Sequence, residues 1–143
     1  MPKSTTFSND LALLIFNGTA IANLADNAAS SPATNLYLSL HTATPGIGGA
    51  QTTNEATYTN YARIAVARTS GGWTVASGAA SNAALAQFAQ CGASGNTITH
   101  VAIGTASSGA GKVLYAGALT ASLAVANLIQ PQFAIGALTA TES

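Results

Sequence analysis

The chain has 143 residues and only eight charged side chains, Lys3, Asp10, Asp26, Glu55, Arg63, Arg68, Lys112 and Glu142, which sum to zero. At 6% of the sequence these fall far below the ~25% of an ordinary soluble domain. Its surface is therefore a skin of Ala, Ser, Thr, Asn and Gly with little repulsion between copies. Such a balance excludes a phosphate-neutralising nucleic-acid surface and a polybasic membrane surface, and it favours a protein held against other proteins.

The length fits one domain, 1–143, with a core large enough to need no staples. Cys91 is the single cysteine, so an intrachain disulfide is excluded and the thiol reads as a small apolar filler. No apolar run reaches the roughly 18 residues of a membrane span. The run 11–16 lies between Asp10 and Asn17 and is too short for a signal-peptide core, so folding in a cytoplasm is expected.

Ser8 reads as a helix N-cap with Asp10 in the first turn. Leu11, Leu14, Ile15, Gly18, Ile21, Ala22 and Ala25 then follow helical spacing, with Leu13, Phe16, Ala20 and Leu24 as a second apolar strip. The spacing predicts a helix over about 8–27 that is apolar on two sides, ending before the Ser30-Ser31-Pro32 cluster. Beyond Pro32 the period changes to two. Leu36, Leu38 and Leu40 alternate with Tyr37, Ser39 and His41 in a half-buried strand. Residues 45–58 are rich in Gly, Thr, Asn and Gln and read as a long loop, a feature usually tied to function.

Further strands are expected at 61–68, with Ile64 and Val66 on one face, and at Trp73-Thr74-Val75 after the Gly71-Gly72 turn. Residues 85–89, 97–104, 112–119, 122–125, 132–135 and 138–141 complete the set. One helix and about eight short strands, the strands filling a β domain at about 35–141, predict a mainly β protein, a β-sandwich or a jelly-roll-like barrel.

Candidate chemistry is thin. GTASSGAGKV at 104–113 has Ala106 where a phosphate loop needs its first glycine, Val113 where it needs a hydroxyl, and a strand rather than a helix after it. It reads as a β-turn. His41 and His100 stand near strand ends and are placed to meet across a sheet, but no close-spaced metal-ligand motif accompanies them. There is no Gly-x-Ser-x-Gly elbow, and nothing lowers the pKa of a Cys91 thiol toward His100. The expectation is no enzyme, no cofactor and no metal. Arg63 and Arg68, five apart, point to opposite faces of a strand, and one is placed to pair with Glu55.

Four segments, NLYLSLHTATPG (35–46), QTTNEATYTNYARIAVAR (51–68), GWTV (72–75) and THVAIGTASSGAGKVLYAGAL (99–119), resemble a family of tailed-bacteriophage structural proteins. Its members are often labelled tail-fibre proteins, and some resemble capsid decoration or cement proteins. The resemblance spans about 10–142, with residues 76–91 Ala-rich where relatives look more strand-like. It implies a non-enzymatic virion component, a small β-rich domain assembling as a homotrimer. The leading expectation is a decoration protein on the capsid surface with the major capsid protein as partner. The alternative is a tail-fibre or host-recognition module, with Tyr37, Tyr58, Tyr61 and Trp73 as aromatic platforms. The expected contact surfaces are the 42–58 loop and the 99–112 strand and turn, with Glu55, Tyr58, Arg63, Arg68 and Lys112 as the interface residues.

Overall fold

The computed structural model describes residues 3–21, 24–25, 31–46 and 48–142. Among them it is mainly β, with one helix and nine strands in three sheets and no closed barrel. The elements are α1 (Thr5–Asn17), β1 (Asn35–His41), β2 (Ile64–Ala67), β3 (Trp73–Ala76), β4 (Ala79–Asn82), β5 (Ala86–Gln87), β6 (Asn96–Gly104), β7 (Val113–Val125), β8 (Gln132–Phe133) and β9 (Thr139–Thr141). The mainly β class and the single N-terminal helix expected from the sequence are both present; the barrel form is not.

The chain divides into two compact units. One is built from Met1–Asn35, Val66–Ala86 and Phe133–Ser143, the other from Leu36–Ala65 and Gln87–Gln132.

In the first unit α1 is shorter than its sequence pattern suggests. The N-cap is Ser4, whose hydroxyl accepts from the Phe7 N–H at 3.2 Å, and Ser8 lies inside the helix, buried. The helix stops at Asn17 because Gly18 takes a left-handed conformation, φ 65°, and closes the last turn onto the Leu13 carbonyl. Glycine adopts that region without a Cβ penalty, which makes it the usual helix-ending residue. The apolar periodicity continues past Gly18, but residues 18–21, 24 and 25 are not helical; Ile21 and Ala25 instead close a tight bridged turn. Residues 22, 23, 26 and 27 of the expected helix lie outside the described residues.

Arg68 completes this end of α1. Its Nε donates to the Ile15 carbonyl and its Nη2 to the Leu14 carbonyl, both at 2.7 Å, while Nη1 reaches the Ala33 carbonyl at 2.7 Å. A guanidinium placed on the last carbonyls of a helix satisfies acceptors that have no partner within it and opposes the negative end of its dipole. Arg68, half-buried, is thereby committed to contacts within this unit.

The helix packs on the antiparallel sheet β3-β4-β9. Trp73 is fully buried and meets Phe16 edge to face, ring centroids 4.8 Å apart. Asn82 is 2% exposed yet satisfied: its amide donates to the Ala84 and Ala134 carbonyls at 2.8 Å and accepts from the Leu138 N–H at 2.9 Å. Lys3 and Glu142 form an ion pair at 2.6 Å.

The second unit is organised by β1, β6 and β7 of the sheet β2-β1-β6-β7. Leu36, Leu38 and Leu40 on β1 are buried, as the period-two pattern requires, with Ile98, Ala102 and Ile103 of β6. The two strands run antiparallel in a register that puts His41 opposite His100. The histidines do meet across a sheet. Phe88, Tyr58 and Cys91 add to this core, and Tyr61 stacks on Phe88 at 6.3 Å. The expected strands 112–119 and 122–125 are one strand, β7. An irregularity between Ile98 and His100 sets the four residues 119–122 of β7 opposite Thr99 alone.

A turn at 126–129 carries a notable conformation. Leu128 sits at φ 70° and is 67% exposed, held by its N–H on the Cys91 carbonyl and by Gln90 on its own carbonyl. A left-handed backbone costs an L-residue roughly 1–2 kcal/mol. Leu128→Gly is expected to raise stability by about 1 kcal/mol, read as a higher urea midpoint at unchanged slope.

Candidate functional site

The two segments expected to form contact surfaces, the 42–58 loop and the 99–112 strand and turn, lie in the same unit, and the turn at 105–111 is tied to the loop by two residues. The first is Arg63. Tyr61 and Arg63 are two residues apart just before β2, and the side chains of both reach Glu55. Arg63 forms a two-pronged pair with it, Nε to Oε1 at 2.6 Å and Nη2 to Oε2 at 2.7 Å. Such a fork is among the stronger protein hydrogen-bond arrangements. Its Nη1 donates to the Ala106 carbonyl at 2.9 Å and its Nη2 also to the Gly109 carbonyl at 2.8 Å. The Tyr61 hydroxyl donates to Glu55 Oε1 at 2.9 Å and accepts from the Leu40 N–H at 3.0 Å. One guanidinium thus holds the acid of one loop and two carbonyls of the other.

The local backbone places Glu55 for this. The chain at 54–56 runs antiparallel to the end of β1, through Thr42 N–H to the Asn54 carbonyl and Ala56 N–H to the Leu40 carbonyl, both 2.8 Å. Side-chain exposure is 2% for Arg63 and 15% for Glu55. The hydrogen bonds it donates to Glu55 hold the guanidinium even further into its charged form than usual. Burial pushes the Tyr61 hydroxyl up, and that of Tyr58 to about 12, so both phenols stay protonated donors.

The second tie is Gln51, which is fully buried. Its Oε1 accepts from the Ala106 N–H at 2.9 Å, and its own N–H donates to the Gly111 carbonyl at 2.8 Å. Ala50 forms a bridge with Lys112 beside it. Two glycines make room: a Cβ at Gly104 would lie 2.1 Å from Gln51 Cδ, and one at Gly111 would lie 2.2 Å from its Oε1. Two of the three glycines of GTASSGAGKV therefore serve close packing of a neutral amide, and the third, Gly109, takes a left-handed backbone at φ 74°. The segment turns between β6 and β7, as its sequence reading as a turn holds.

His41 braces the start of the 42–58 loop. It is fully buried, with Nδ1 2.9 Å from the Thr53 carbonyl and Nε2 2.9 Å from the Ser39 hydroxyl. A carbonyl only accepts, so Nδ1 carries the proton and Nε2 accepts from Ser39 in the neutral ring. Burial lowers the pKa of His41 against smaller opposing effects from the Thr53 carbonyl and Glu55. A depressed folded pKa means that the unfolded chain takes up the proton first. This contribution is intact above the ordinary histidine pKa, near 6.5, and is lost as pH falls from there toward the folded value. We expect stability to fall by up to about 1.4 kcal/mol per pH unit in that window. Urea titrations of wild type and His41→Gln between pH 7.5 and 5 check this, with the slope flattened in the variant.

The five residues expected at an interface are thus placed differently. Glu55 and Arg63 are joined to each other inside the loop pair, Tyr58 is 2% exposed, and Arg68 caps α1 in the other unit. Lys112 is exposed. What the loop pair turns outward is a neutral, hydroxyl-bearing surface that includes Thr44, Thr52 and Thr53 on one loop and Ser107 and Ser108 on the other. Gln51 and Tyr61 were not expected here, although the glycines flanking the turn, Gly104 and Gly111, could have pointed to a bulky neighbour. No group of three or more His, Cys, Asp or Glu converges as metal ligands among the described residues.

The protein is thus mainly β with an N-terminal helix, and its 42–58 loop and 105–111 turn are pinned to each other through Arg63 and Gln51. Residues 3–141 match the family described as Podophage GP4 fiber I protein gp80. The chain belongs to that family, and so to the bacteriophage structural proteins of tail-fibre type. A fibre protein family implies a virion component. No curated protein matches the chain.

Proposed function

We propose that this protein is a non-catalytic tail-fibre component of a bacteriophage virion, whose pinned loop pair at 42–58 and 105–111 forms a contact surface. The family match over 3–141 carries the reading, because its description names a fibre protein. This favours the fibre alternative over the capsid-decoration role, which the match does not name. The arrangement of groups supports a contact role over a chemical one. The carboxylate of Glu55 is held by Arg63 and Tyr61, both ring nitrogens of His41 are engaged, and Cys91 is fully buried with its thiol on the Ser94 carbonyl. A neutral hydroxyl surface makes contacts that depend little on salt, and rigid loops bind with less ordering cost than mobile ones.

The test is location on the particle. Antibody fragments against this chain, imaged on intact virions by electron microscopy, should decorate the tail. Phage carrying Ser107→Trp and Thr52→Trp, bulky changes at exposed loop positions, should assemble heads normally but lose fibres or adsorption. Label on the capsid faces, with major capsid protein as neighbour, would overturn the fibre reading.

A further inference from the structure

Four non-glycine residues among those described have a left-handed backbone. Asn54 and Asn60 are of the type that tolerates it, Ser77 is small and polar, and the fourth is Leu128 at φ 70°. The leucine side chain gains no burial in return, being 67% exposed, and Ile129 beside it is 42% exposed. Leu24, Leu85 and Ile135 are exposed too, but none of them has a positive φ.

The backbone under this pair is clamped. The Leu128 N–H donates to the Cys91 carbonyl at 2.8 Å, and the Cys91 N–H donates back to the Ile129 carbonyl at 2.9 Å. Gln90 Nε2 donates to the Leu128 carbonyl and the Ile129 N–H to the Ala126 carbonyl, both at 2.9 Å. All of these residues belong to one unit, and Cys91 is fully buried in it. A strained residue held by its surroundings is a mark of contact sites, where the strain sets a geometry. Here it sets two neighbouring aliphatic side chains outward on a fixed turn.

The surroundings define what would cover them. The chain carries no Lys, Arg, Asp or Glu from 69 to 111 or from 113 to 141, and the exposed polar groups beside the pair are the amides of Gln90, Asn127 and Gln130. A lipid surface calls for basic or Trp and Tyr anchors, and residues 126–132 contain none. A charged protein surface would lose its hydration against leucine without a counter-charge. A neutral protein surface with an apolar recess fits both the side chains and their amide rim.

We propose that Leu128 and Ile129 form a pre-set anchor that inserts into an apolar socket, rimmed by uncharged groups, on a different protein of the particle. This rests on the virion reading above and adds a contact separate from the loop pair. Because the backbone is already fixed, insertion orders little, and a neutral contact depends little on salt. Leu128→Gly removes strain and anchor together, so the more stable chain should be the poorer binder.

Phage encoding each variant test this, with chain per purified particle read by quantitative immunoblot. Leu128→Asn, which suits the left-handed backbone, should leave the purified chain folded with a melting temperature no lower than wild type. It should still reduce the chain per particle at least about tenfold, the factor for losing one buried leucine. Leu128→Met keeps the apolar bulk and should be incorporated like wild type. Should Leu128→Asn fold poorly, Ile129→Ser replaces it, with a loss again expected. Incorporation of Leu128→Asn at the wild-type level, or a Leu128→Met loss as large as that of Leu128→Asn, would overturn the proposal. So would a change in the oligomeric state of purified Leu128→Asn by light scattering, which would make a second copy the occupant. Flotation of the wild-type chain with phosphatidylcholine vesicles, abolished by Leu128→Asn, would overturn it in favour of lipid. Particles lacking even the wild-type chain would sink this proposal and the fibre reading together, whereas the other outcomes strike this one alone.

Discussion

Arg63→Ala should destabilise the protein by about 3–5 kcal/mol, the cost of removing one partner from a buried ion pair. The reason is what stays behind. Glu55 keeps only the Tyr61 hydroxyl, and the Ala106 and Gly109 carbonyls lose their donor. The two loops would then be joined through Gln51 and the Ala50–Lys112 bridge alone. Arg63→Lys should recover only part of the loss, since an ammonium cannot present the guanidinium fork. The double variant with Glu55→Ala should be less destabilised than the sum of the two single changes, because it leaves no unpaired acid. Urea unfolding of the four proteins measures all of this. A cost under 1 kcal/mol for Arg63→Ala would show that its side chain does not hold the loops and would return it to the role of a surface contact.

Trp73→Ala should have an effect of similar size, about 3–5 kcal/mol, from lost burial and from the cavity left under α1. Trp73 is fully buried, and the helix rests on it through Phe16. Trp73→Phe should cost less than half as much, as it keeps an aromatic partner for Phe16 at smaller volume. Trp73 is also the chain's one tryptophan, so wild-type fluorescence follows this core without a label. The check is calorimetry of the variants beside wild-type emission, which should be blue-shifted when folded and red-shifted in denaturant. Equal stability of Trp73→Ala and wild type would mean that the helix does not depend on this contact.

The sequence is legible where local pattern and tertiary demand agree. Leu36, Leu38 and Leu40 alternate because one face of β1 meets the apolar core, although Ser39 and His41 on its other face are buried as well, which the half-buried reading did not foresee; Gly71-Gly72 introduces β3 as a turn should. It is illegible where pairing alone makes the element. β4 is Ala-Ala-Ser-Asn, without a β-branched or aromatic residue, and is a strand because β3 and β9 flank it. The helix pattern runs on past Gly18 because apolar spacing carries no information about backbone handedness. The pairing of one of the two arginines with Glu55 was readable from the sequence. That both cations are held by carbonyls was not, since those carbonyls come from 35 to 54 residues away. The site's surface is for that reason not made of its most conspicuous residues. Scarce charges hold the loops, and common hydroxyls face outward.

The interleaving of the two units sets an order on synthesis. The unit built around Trp73 draws on three separate stretches, and its last strand, β9, pairs with β4 only once residue 141 has been added. The other unit needs nothing beyond Gln132. At about 5–20 residues per second, Phe16 leaves the ribosome roughly 6–25 seconds before its unit can close. During that interval α1 is a short helix without its sheet, and such helices are marginal in water. A chain truncated after Gln132, tethered to the ribosome by a C-terminal linker long enough to clear the exit tunnel, should therefore show the pinned loops protected from protease while the N-terminal segment is still cleaved.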